Sequence, residues 1–124
     1  MKTRFYEFSQ NNSFGSFVVD DKLCHRLFIE AESADKANDI ARSMGVYFDG
    51  CSNGLDCDCC GDRWYRADKH EEIDIDKLSS AYNKAFESVE DYAQYLANKY
   101  GWTMPDARIF YLSGETKEIY IDEN

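Results

Sequence analysis

The sequence predicts one α+β domain over residues 1–124, with an antiparallel sheet of five to six strands and two or three helices packed on one face. Three observations predict it. Short aromatic and β-branched runs separated by polar turns fill residues 1–30 and recur after residue 106. Two stretches between them repeat apolar residues at helical spacing. Internal repeats, low-complexity tracts and linkers are absent, so no boundary divides the chain.

The opening runs TRFYEFS, SFGSFVVD and CHRLFIEA, separated by the turns QNNS and DDK, are expected to form a three-stranded antiparallel meander. Ser33 then offers a helix cap. Ala34, Ala37, Ile40, Ala41 and Met44 follow at helical spacing until Gly45. Their small side chains suit close approach to a sheet. VYFD is a short strand or extended exit into a loop rich in cysteine and glycine, from which RWYRA returns as a strand. From Asp76, the residues Leu78, Ala81, Tyr82, Ala85 and Phe86 form an apolar stripe. Ser88, with Asp91 three places on, restarts the pattern through Val89, Tyr92, Ala93, Leu96 and Tyr100 up to Gly101. The stretch is either two helices or one bent at Ser88. ARIFYLS and KEIYID, around the turn GET, close the chain as a hairpin.

At 124 residues and 44% hydrophobic composition, the chain is long enough to bury a core without obligatory staples. Against 14 Lys and Arg stand 24 Asp and Glu, a net charge of −10. Such a surface repels phosphate backbones, which disfavours direct nucleic-acid binding. Residues 68–91 hold eight of the acids against three bases, half of the excess. Glu71, Glu72 and Asp74 lie in this stretch, which is either a solvated face or a patch complementary to a basic partner. No membrane span or secretory leader is evident, so the expected location is the cytosol. Five cysteines, an odd number, argue against a disulfide framework there.

Four of the five lie within CSNGLDCDCC. A zinc site built from Cys51, Cys57, Cys59 and Cys60 has one CxxC pair where two well-separated pairs are usual, and adjacent Cys59 and Cys60 point apart. Zinc therefore stays a possible stabiliser of a structural module, and the leading expectation is no cofactor. A nucleophilic thiol needs stabilising cations, yet Asp56, Asp58 and Asp62 surround these sulfurs. Calcium is disfavoured because Cys51 and Cys60 replace oxygen ligands of the twelve-residue loop that DGCSNGLDCDCC otherwise resembles.

The remaining candidate is the exit from that loop. If residues 63–65 alternate across a strand, Trp64 enters the core, while Arg63 and Tyr65 face outward beside Asp62. Guanidinium and aromatic side chains are those most used to hold ligands and partners. No phosphate-binding glycine loop, Ser/His/Asp order or paired-carboxylate motif appears, so the chain is expected not to be an enzyme.

FIEAESADKANDIARSMGVYFDG followed by DCDCCGDRWY resembles a family of small uncharacterised proteins of tailed bacteriophages that carry a DCxCCGDRWY motif. The likeness covers residues 27–65, with looser similarity in the opening strands and the final hairpin. Residues 68–87 and Cys51 lie outside its pattern. The resemblance implies a setting, the cytoplasm of a bacterial host, and no functional residues. On that basis the expected function is a non-enzymatic accessory protein that binds and inhibits a host or antiviral-defence protein having a basic surface. Its binding residues would be Arg63, Tyr65, Asp62, Glu71, Glu72 and Asp74. The alternative is a protein that sequesters a small nucleotide-like ligand with Arg63 and aromatic residues.

Overall fold

In a computed structural model, residues 3–11, 18–55, 61–68, 72–101 and 105–122 are described. Among them, four strands form one sheet: β1 (Arg4–Ser9), β2 (Arg26–Ala31), β3 (Ala107–Phe110) and β4 (Thr116–Ile119), side by side in chain order. β1 and β2 are antiparallel, with Tyr6 opposite Ile29 and Phe8 opposite Leu27. β3 and β4 form the expected closing hairpin, with Ala107 opposite Ile119. Between the two pairs, β2 and β3 run parallel, Phe28 lying opposite Ile109. The sheet is therefore mixed, which corrects the all-antiparallel expectation. The cause lies in β2, whose Leu27, Phe28 and Ile29 are all buried. A strand buried on both faces is typical of parallel pairing under covering helices.

Those helices are α1 (Ala34–Ser43), α2 (Ile75–Tyr82) and α3 (Val89–Tyr100). Ser33 caps α1, its hydroxyl accepting from the Lys36 N–H. Ser88 caps α3 in the same way through Asp91. Asp74 caps α2, accepting from the N–H groups of Asp76 and Lys77, and Asn83 ends it in the left-handed region. The stretch is thus two helices. Gly101 ends α3 for want of space: a Cβ there would fall 2.2 Å from the Ala97 carbonyl oxygen and 2.6 Å from Ile121.

The helices lie on both faces of the sheet, where one face was expected. Tyr6, Phe8, Leu27 and Ile29 point to one side and pack with Ala37 and Ala41 of α1 and with Trp64. Phe28, Ala107, Ile109 and Ile119 point to the other and pack with Tyr92, Ala93, Leu96 and Ala97 of α3. Period-two alternation in β2 supplies each layer. α2 buries no side chain fully and rests Ile75, Leu78 and Tyr82 against the second layer.

One strand expectation, RWYRA, is not met among the described residues. Val18–Asp20, the described end of SFGSFVVD, is irregular; residues 12–17 fall outside the described residues. Residues 46–48 leave α1 without joining a ladder, the exit that was one of the two forms expected, and residues 63–67 are irregular. The Asn38 side chain and a main-chain N–H outside any ladder satisfy that last backbone instead. Asn38 of α1 donates to the Ala67 carbonyl at 3.0 Å and accepts from its N–H at 2.8 Å. The Asn11 N–H donates to the Arg63 carbonyl at 2.7 Å.

Candidate functional site

The segment of residues 61–68 crosses from the cysteine loop toward the edge of β1. Trp64 is 1% exposed and Tyr65 58%, so the inward and outward faces fall as the sequence implies for these two. Arg63 does not follow. It is 6% exposed, its Nε donating to the Tyr47 hydroxyl at 3.2 Å and its NH1 to Gln10 Oε1 at 3.1 Å. Without strand geometry, strict alternation has no cause, and Arg63 turns in to brace the chain behind β1. Asp62 is structural in the same way: its Oδ1 accepts from the Cys51 N–H at 2.9 Å and its carbonyl from Asn11 Nδ2 at 3.2 Å. Gly61 has φ +85, and a Cβ there would meet the Tyr65 hydroxyl oxygen at 3.0 Å. Glycine at this position lets the loop turn while Tyr65 folds back over it.

After residue 71 the chain returns to the sheet. Glu72 forms a single antiparallel bridge to Tyr6, and the Ile73 N–H donates to the Phe5 carbonyl at 2.8 Å. This pins Glu72 beside β1 and leads into the Asp74 cap of α2. Tyr65, Glu72, Ile73 and Leu78 thereby meet Glu7, Phe8 and Ser9 of β1 and Tyr92 of α3 around a cleft of about 380 Å³. Of the expected binding residues, Tyr65 and Glu72 meet in this cleft. Asp74 is exposed near its α2 side, and Glu71 lies outside the described residues.

The cleft is half aromatic and half acidic. Tyr92 packs edge-on against Phe28 and Phe86, with ring centroids 6.2 Å and 5.3 Å apart. Burial, then the neighbouring Glu7 charge, pushes its phenol well above the ordinary range. Glu72 is paired with Arg4, Nε to Oε1 at 3.0 Å. Glu7, half-buried, accepts one hydrogen bond among the described residues, from the Ser9 hydroxyl at 2.8 Å. Desolvation raises its pKa, against the opposing pull of Ser9, Arg26 and His25. The nearby cation Arg26 is already engaged by Asp106, which also binds His25 Nδ1 at 2.9 Å.

Sequence reasoning missed Glu7, because a carboxylate alternating with Tyr6 and Phe8 looks like part of a solvent face. The layer of α3 over that face is what encloses it. The sign of its effect on stability follows from the direction of its shift. An acid that holds its proton more tightly when folded penalises folding once ionised, above its folded pKa, and is neutral in its effect below its unfolded pKa. Glu7→Gln is therefore expected to raise the melting temperature at neutral pH, and the gain should vanish as pH falls below the ordinary glutamate range. Melting curves of both proteins from acid to neutral pH check this; an equal or lower melting temperature for Glu7→Gln at neutral pH contradicts it.

The cysteine expectations resolve unevenly. Cys57, Cys59 and Cys60, and with them the four-thiol zinc site, lie outside the described residues. Cys51 is half-buried and Cys24 fully buried, both as free thiols. Burial pushes the Cys24 thiol up to about 12, so it stays protonated and unreactive. Among the described residues, no group of three or more His, Cys, Asp or Glu could hold a metal ion, and no helix is long and apolar enough to cross a membrane.

A family model described as "Domain of unknown function (DUF7296)" matches residues 3–124, and the chain belongs to that family. Residues 68–87, outside the bacteriophage resemblance, fall within the matched span. No curated protein and no solved structure matches the chain.

Proposed function

We propose that this member of the family is a binding protein without catalytic chemistry, which docks on the basic surface of a protein partner through the side of the fold that carries the cleft. The observation that carries this reading is the placement of carboxylates there. Glu7 and Glu72 line the cleft, and the exposed Asp74 and Asp76 stand at the start of the helix that bounds it. In a chain of net charge −10, this concentrates negative potential beside apolar surface, the combination that steers and then holds a basic partner. The bacteriophage resemblance supplies the proposed setting, in which the partner is a host or antiviral-defence protein that docking inhibits. A nucleotide-like ligand fits less well, since the carboxylates of the cleft repel phosphate and Arg63 is bonded to Tyr47 and Gln10.

The test is capture from infected cells with the wild type and with a triple charge reversal of Glu72, Asp74 and Asp76 to lysine, followed by association kinetics with the purified partner. The expected results are slower association for the reversed protein and a wild-type rate that falls as salt rises, since exposed charges are screened over roughly 8–10 Å at physiological ionic strength. An unchanged association rate for a reversed protein that remains folded removes the acidic side from the proposal.

A further inference from the structure

We infer that the cleft between β1, residues 61–68 and the start of α2 receives an arginine side chain of the partner, with Glu7 as its counter-ion. This inference rests on the docking reading above and specifies what anchors it.

The two carboxylates of the cleft are not equivalent. Glu72 already holds a guanidinium, that of Arg4, at its rim. Glu7 lies on the strand face covered by α3 and, among the described residues, takes a single hydroxyl donor. Among the described residues, the charged groups packed around it leave it short of a cation. Arg26 and His25 are both engaged with Asp106, and Tyr92 across the cleft is held neutral. A half-buried carboxylate so placed costs stability unless a cation enters.

The walls decide which cation. Tyr65 and Tyr92 offer aromatic surface on the way to Glu7, and Ile73 and Leu78 complete an apolar sleeve. A guanidinium can stack on such rings, lies flat against a carboxylate and sheds water more readily than an ammonium. Its methylene stem suits the apolar part. A phosphate or carboxylate ligand would be repelled, and a neutral apolar ligand would leave Glu7 still less hydrated.

The probe is N-acetyl-arginine amide, titrated into the full-length protein and followed by amide resonances, with the lysine and citrulline counterparts as comparisons. Saturable shifts at Ser9, Tyr65, Ile73 and Tyr92 are expected with the arginine probe, weaker ones with lysine and none with citrulline. Glu7→Gln should weaken arginine binding by about tenfold or more while its amide spectrum stays that of a folded protein. The Glu7 carboxyl should titrate at lower pH with the probe bound, because a cation favours its charged form. Equal responses to arginine and citrulline, shifts away from the cleft, tighter binding of lysine, or indifference to Glu7→Gln would each overturn the inference. Should any of these occur while charge reversal still slows association with the partner, the docking reading stands and only the anchor is lost.

Discussion

Replacing Asp106 by alanine is expected to destabilise the protein by about 3–5 kcal/mol, the range for removing one partner of a buried ion pair. Asp106 is 0% exposed. Its carboxylate engages Arg26 and His25, its N–H donates to the Ile119 carbonyl at 3.0 Å, and its carbonyl accepts from the Arg26 N–H at 3.0 Å. One residue thus ties β2, β3 and β4 together where the parallel pairing begins. Alanine keeps the backbone bonds and leaves Arg26, 7% exposed, without that counter-charge. The check is chemical denaturation of Asp106→Ala, Arg26→Met and the double variant. The double variant should lose less than the sum of the singles, because the orphaned charge is gone. A loss below about 1 kcal/mol for Asp106→Ala would place the pair among interactions of surface strength.

Trp64→Ala should cost a similar amount, about 3–5 kcal/mol for a large aromatic removed from a core. Trp64 is the largest fully buried side chain among the described residues and packs in the layer between α1 and the sheet, where Tyr6, Phe8, Leu27 and Ile29 meet Ala37 and Ala41. The segment that carries it belongs to no strand, so packing and a few side-chain bonds hold it. Its Nε1 is buried and has no hydrogen-bond partner among the described residues. Phenylalanine removes that uncompensated donor and keeps most of the apolar contact, so Trp64→Phe should lose clearly less than Trp64→Ala. Thermal melts rank the pair, and equal losses would show that the indole N–H does matter to folding.

The local elements were largely legible in the sequence. Ser33, Ser88 and the apolar spacing after each place α1 and α3, and GET places the final hairpin, because caps and turns are decided by neighbouring residues. The sheet was harder, since its central pairing joins strands separated by three helices and no local turn signals it. One clue was present: Leu27, Phe28 and Ile29 form an unbroken apolar run, and a strand with one wet face would have alternated. That same run required helices on both sides. The cleft was half visible. Tyr65 and Glu72 stand among the residues expected to bind, while Arg63 and Asp62 serve the loop itself, and Glu7 emerges only when α3 is laid across its strand. Burial depends on what comes to cover a residue, and a strand's own pattern does not say.

The bridge from Tyr6 to Glu72 also bears on how crowded copies of the chain behave. A sheet whose outermost strand shows free N–H and C=O groups can recruit the same strand from a neighbour and grow without limit. Here the chain lays its own acidic segment along part of β1, where the Phe5 carbonyl is already taken by Ile73. At the opposite margin, β4 is only four residues long and exposes Thr116, Lys117 and Glu118. Lateral stacking is thus discouraged at both margins, by an occupied backbone at one and by a short, charged strand at the other. The residues proposed to welcome a foreign chain therefore also help to keep identical chains apart.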